Sequence, residues 1–229
     1  LRGEHMKSKV IFWLQTRSLN YVFINVNLLF LLVYICDIIF LIEGGITLTT
    51  KYLVYTALMT AIIAVLGFVP AIPLPVMPVP IVLQNIGIFL AAILLGRKYG
   101  TLSVIVLLLL VAAGLPLLSG GRGGIGVFAG PSAGFLFMYP VITYLIGLVR
   151  DLYFKKINFV VLLITTIVFG VLLLDITGTI IMGLITNLPI TKSVSLSLLF
   201  MPADILKAIV ASLIGNIMLN HSQFKQLLK

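Results

Sequence analysis

Asp204 and Lys207, in the stretch MPADILKAIVAS, lie three residues apart inside an otherwise apolar run. On a helix that spacing puts both side chains on one face. Ionisable groups in lipid are costly and are usually kept where they face a bundle interior. Two chemistries fit the pair. Either it satisfies itself and pins the packing, or it clamps a guest molecule, with Asp204 accepting from N–H groups and Lys207 attracting an anionic group. Asp175, in LLLDITG, is a second acid in an apolar run. Its carboxyl is expected to meet the hydroxyls of Thr177 or Thr179, a neighbouring helix, or a ligand. Gln84 and Asn85 open another apolar run just after a proline-rich stretch, where amides bond either freed backbone or a polar ligand. Arg122 stands between Gly121 and Gly123 in LLSGGRGGIGVFAGPSAGF. Glycines there permit close backbone approach, irregular backbone at membrane depth is tolerated where it lines a cavity, and the arginine supplies a cation at the mouth.

Other chemistries lack their residues. GGRGGIG has no GK[ST] ending and no preceding strand, so it is not a P-loop. Ser132 in GPSAG is not a nucleophile elbow. The two histidines, His5 and His221, lie near the ends and form no metal cluster, and the lone Cys36 allows no intrachain disulfide. No resident cofactor is expected.

The elements that carry these residues are membrane spans. The chain of 229 residues is 61% hydrophobic and only 9% charged, against roughly 25% charged for a soluble domain. That leaves too little polar surface to cover a water-soluble globule. The fold expected is an all-α integral membrane protein. Six apolar runs of suitable length follow residue 50, at about 52–69, 81–95, 101–118, 132–149, 159–185 and 195–219. Lys51, Arg97, Lys98, Arg150, Lys155, Lys156, Lys225 and Lys229 then fall on one face, and only Arg122 and Lys192 on the other. The net charge of +9 is topology-setting loop charge by this reading, not a nucleic-acid signal, and it places both termini of the six-span unit in the cytoplasm. Along the first span Ala57 and Ala61 form a small-residue stripe, extended by Ala64 and Gly67, that suits close helix packing within the chain or against another membrane subunit.

Residues 1–49 form a separate N-terminal extension ahead of the membrane domain at 50–229. Residues 21–42 are long enough for a seventh span, although that would put Arg2, Lys7, Lys9 and Arg17 outside. LRGEHM has the look of a tag remnant or an over-extended reading frame, and a physiological start near 46–51 is expected.

ALMTAIIAVLGFVPAIPLPVMPVPIVLQNIGIFLAAILLGRKYG, GLPLLSGGRGGIGVFAGPSAGF and MPADILKAIVAS together resemble the BioY family, in order and at matching spacing, over about residues 50–229. These are the biotin-binding S components of energy-coupling-factor vitamin importers. The resemblance implies a six-helix S-component bundle in a bacterial cell membrane, not an enzyme. It implies biotin as the transported ligand, and a membrane coupling subunit with two cytoplasmic ATPases as partners. Asp204 and Lys207 match the family's biotin-recognition pair, and Ala57 and Ala61 its coupling-subunit stripe. Arg122 departs from the family pattern, which often has Asn between the glycine pairs, and is expected here to replace a cation that faces the biotin carboxylate. The alternatives are another vitamin in the same fold, a carrier working without ATPases, and a membrane enzyme or packing subunit with no ligand.

Overall fold

A computed structural model of the chain describes residues 50–73 and 78–221, apart from the side chain of Lys155. The N-terminal extension at 1–49, with the possible span at 21–42 and most of the expected start near 46–51, falls outside these residues. The described part is helical, with five helices long and apolar enough to cross a membrane. They are α1 (Thr50–Gly67), α2 (Gln84–Ala112), α3 (Ala133–Leu152), α4 (Phe159–Ile185) and α5 (Ile190–Asn220). Among the described residues, pairing between extended segments is confined to two isolated bridges, Ile72 with Ile81 and Leu118 with Arg122.

The expected second and third spans form one element, α2, with a break at Gly96. Gly96 has φ 74° and ψ −172°, a backbone that side-chain-bearing residues rarely adopt. The chain doubles back there. A Cβ on Gly100 would strike the carbonyl of Ala91, although nine residues of straight helix would separate those positions by about 13 Å. The two arms, 84–95 and 97–112, therefore lie side by side.

Arg150 holds this turn. It was expected to be a loop charge, but it is buried. Its Nε and one terminal nitrogen donate to the carbonyls of Ile93 and Leu94, both at 3.0 Å, and the other terminal nitrogen to Asp151 at 2.8 Å. Asp151 in turn accepts from the backbone N–H of Arg97 at 3.0 Å. A helix end leaves its last carbonyls without partners, and here a guanidinium from α3 supplies them. Gly147 lies so close that a Cβ would press into the Arg97 backbone.

The third span was also expected to run to Leu118, whereas the helix stops at Ala112. Residues from Leu115 onward turn into a loop. Within it Leu118 and Arg122 exchange backbone bonds around Gly120 and Gly121, whose φ values of 78° and 69° suit glycine. The proline-rich connection before α2 is closed in the same way by an antiparallel bridge, with Ile72 and Ile81 exchanging bonds at 3.0 and 2.9 Å.

α4 begins at Asn158, whose side chain accepts from the Val161 N–H at 2.9 Å. Its middle, Thr166–Leu173, is wound as a π-helix, and α-helix resumes at Leu174. Gly170 in that segment lets the Phe89 ring approach. α5 runs from Ile190 to Asn220 through Pro202, a residue that would break a helix in water. α2 packs on α1, α3 and α5, and α4 closes the bundle against α3 and α5. Apolar side chains such as Leu58, Val65, Leu109, Leu206 and Ile217 point outward, as a lipid-facing surface requires.

Candidate functional site

The first arm of α2 has twelve residues and is about 18 Å long, so it cannot fill the height of the bundle. The two bridged loops occupy the remainder, and between them and the helices lies a cleft. The loops contribute Val79, Pro80, Ile81, Val82, Leu118, Ser119 and Arg122 to its walls. The helices contribute Gln84 and Asn85 from α2, Phe135, Leu136 and Tyr139 from α3, and Phe200, Asp204 and Lys207 from α5. A largely apolar wall with a few convergent polar groups is the usual form of a small-molecule site.

At the floor Lys207 Nζ donates to Asp204 Oδ1 at 2.5 Å. Asn85 Nδ2 donates to the same oxygen at 3.3 Å, and Asn85 Oδ1 accepts from the Tyr139 hydroxyl at 3.0 Å. The chain of bonds runs Lys207, Asp204, Asn85, Tyr139 and joins three helices. All four side chains are buried. The pair is thus mutually bonded, as the structural alternative requires, and it also borders a cleft, as a ligand clamp requires. Asp204 Oδ2 makes no hydrogen bond among the described residues, so one lone-pair face of the carboxylate remains for a donor.

At the mouth Arg122 is half-buried, with Nε donating to the Ser119 carbonyl at 3.2 Å. Among the described residues it forms no ion pair. Gly121 and Gly123 do not line the cleft. Gly121 forms the turn that presents Arg122, and Gly123 packs on the Leu115 carbonyl, where a Cβ would collide. Their part in the site is to shape the loop.

Gln84 borders the cleft but turns its amide nitrogen to the carbonyls of Ile63 and Leu117, at 3.3 and 3.1 Å. Of the two roles expected for it, the backbone one is realised. Of the partners expected for Asp175, the two threonines do not meet its carboxyl. The hydroxyls of Thr177 and Thr179 bond backbone carbonyls, including that of Asp175 itself. The Asp175 carboxyl is 0% exposed, and neither oxygen finds a hydrogen-bond partner. It lies outside the cleft wall, facing Asp204 and Lys207 across the α4–α5 interface.

Sequence reasoning missed Tyr139, Ser119, Phe135 and Phe200. Phe135 and Tyr139 are four apart on α3 and so share a face; that spacing, directly after GPSAG, was a usable signal. The Phe135 and Phe200 rings meet edge-on at 5.5 Å. Phe135 sits on Gly178 of α4, where a Cβ would collide with the ring.

On α1, Ala57 and Ala61 face outward, while Gly67 is buried against Gln84 and the Leu117 carbonyl. The stripe therefore divides: Gly67 serves packing within the chain, and among the described residues the two alanines do not.

Fold and cleft together define a multi-pass helical membrane protein with a cleft of mainly apolar walls on which a few polar groups converge. The comparisons narrow this class. The BioY family model matches residues 41–223, and the chain belongs to the BioY family. The match begins upstream of the boundary expected at residue 50. A probable biotin transporter BioY of Bacillus subtilis (strain 168) is 43% identical over 163 residues, covering 71% of this chain and 87% of that one. The biotin transporter BioY of Lactococcus lactis subsp. cremoris (strain MG1363) is 43% identical over 170 residues, covering 72% and 88%. Among solved structures, the S-component for biotin from an ECF-type ABC transporter superposes with a TM-score of 0.75 at 39% identity, covering 81% of this chain and 100% of that one.

Proposed function

We propose that this chain captures biotin and carries it across the membrane as the substrate-specificity subunit of an ATP-driven importer. The observation that carries the reading is the buried Asp204–Lys207–Asn85–Tyr139 chain at the floor of a cleft, in a protein 43% identical to named biotin transporters. Biotin fits such a cleft chemically. Its ureido ring offers N–H donors, one of which suits the remaining oxygen of Asp204, and its bicyclic body suits walls of Phe135, Leu136 and Phe200. Its valerate ends in a carboxylate, and Arg122 at the mouth is the cation for it. No resident cofactor enters this scheme; ATP is consumed by partner subunits.

Those partners are a membrane coupling subunit and two cytoplasmic ATPases. Ala57 and Ala61 offer the coupling subunit a close-approach stripe, since small residues let backbones come near. The end of the bundle bearing Lys51, Arg97, Lys98 and Arg150 is cytoplasmic by the excess of cations there. Counting the two arms of α2 separately, residues 50–229 cross the membrane six times, with both ends inside. Cysteine accessibility checks this: single cysteines at Lys98 and Gly121 label from opposite sides, and same-sided labelling excludes it.

The binding experiment is equilibrium dialysis of purified full-length protein with labelled biotin, beside a thermal-shift panel of biotin, thiamine, riboflavin and folate. A ligand that binds only the folded state raises the transition by mass action. Biotin alone is expected to do so. Stabilisation by another vitamin and not by biotin defeats the substrate assignment.

A further inference from the structure

Asp175 is the acid that the binding scheme leaves unused. Its carboxyl is completely buried, and both of its oxygens lack a hydrogen-bond partner. Native proteins seldom leave a buried carboxyl in that condition, because the desolvation cost then goes uncompensated. The ionisable groups near it are Asp204 and Lys207 on α5 and Tyr139 on α3, and Arg122 acts on Tyr139 in turn. Asn85 of α2 joins the cluster as a neutral amide. α4 carries no other ionisable side chain. Lys207 is already bonded to Asp204, so at the floor one cation stands against two acids.

Two ionised carboxylates cannot bond each other, and a second negative charge at this depth would be uncompensated. One proton between them removes the charge and also supplies the missing hydrogen bond. We propose that Asp175 and Asp204 share a single proton, which makes Asp175 a positioning residue that donates to Asp204 and fixes the carboxylate for its ligand. The inference rests on Asp204 being the ligand acceptor. The winding of α4 supports it. The π-helical segment Thr166–Leu173 ends directly before the turn that carries Asp175, and a wider turn there resets the direction of every side chain that follows.

The shared proton has a sign. Its loss as pH rises places a second charge beside Asp204 and draws Lys207 away, so ligand affinity weakens with increasing pH.

The test uses the full chain in detergent or nanodiscs. Infrared spectroscopy without ligand is expected to show a protonated-carboxyl C=O stretch in the wild type that is missing in Asp175→Asn, where Asp204 pairs with Lys207 alone. In dialysis with labelled biotin, wild-type affinity is expected to fall on the order of tenfold between about pH 6 and about pH 9. Asp175→Asn, which keeps a donor, is expected to hold wild-type affinity at the low end with a flat profile. Asp175→Ala is expected to bind more weakly throughout. Absence of the band from the wild type, its persistence in Asp175→Asn, or equal affinities in the Asn and Ala variants would overturn the proposal. The wild-type spectrum decides even if the variants fail to fold. A wild type that shows the band but binds no biotin sinks the substrate assignment and leaves the shared proton standing.

Discussion

Asp204 keeps company with Lys207 and Asn85 through one oxygen, and the cleft borders the same carboxylate. Asp204→Asn removes the charge but keeps the shape. Hydrogen bonds to a charged acceptor contribute about 1.5–3 kcal/mol, so biotin affinity is expected to drop roughly 10- to 150-fold while the protein remains folded in gel filtration. Unchanged affinity would return the pair to a purely structural role. Arg122→Ala addresses the other end of the ligand. Affinity for biotin is expected to fall about tenfold or more, and affinity for biotin methyl ester to change little; equal losses for both would reject the carboxylate role. At this scale the charged residues were legible in the sequence because a charge inside an apolar run has few explanations. Tyr139 was not, since a tyrosine in an apolar run reads as an ordinary core aromatic until a partner such as Asn85 is seen beside it. Asp175 was legible as a buried acid, but its hydroxyl neighbours misled: threonines on a helix readily bond their own backbone four residues earlier.

Among the elements, α2 is the one whose outline the sequence left open. Hydropathy and charge placed two short spans around Arg97 and Lys98, but the same residues fit a single interrupted helix, and only the geometry at Gly96 shows the reversal. The capping of Ile93 and Leu94 by Arg150 was hidden for a different reason. A basic residue between two apolar runs has a sufficient explanation in topology, so nothing in the local pattern demands a second one. Arg150→Ala orphans two buried carbonyls, each worth about 1–3 kcal/mol, and a clear drop in thermal transition temperature is expected. Gly96→Ala forces a Cβ into a φ of 74° and against Asp151, with a further cost of about 1–3 kcal/mol for the strained backbone. Both changes lie at the basic end of the bundle, opposite the loops at the cleft mouth. Biotin affinity of whatever fraction folds is therefore expected to stay within about threefold of wild type. Pro202 shows the converse: a helix breaker in water is tolerated in a membrane helix when its surroundings absorb the lost bond.

For the whole molecule, composition decided the solvent, with 61% hydrophobic residues, and the long continuous apolar runs, in place of short alternating ones, decided for helices over a closed barrel. Partners are less visible, since an outward alanine stripe looks the same whether lipid or protein covers it. Ala57→Trp with Ala61→Trp separates the two. Binding of biotin is expected to remain within about twofold, while uptake into cells that supply the coupling subunit and ATPases is lost; normal uptake would place the partner elsewhere. The bridged loops carry one more consequence. Ile72 with Ile81 and Leu118 with Arg122 are short latches, two backbone bonds each, over a floor fixed by three helices. Residence time and equilibrium affinity then answer to different bonds: the backbone latches bear on how often the occupant escapes, and the side chains of the floor, with that of Arg122, on how strongly it is preferred. Weakening a latch should speed exchange in both directions and leave the preference nearly intact.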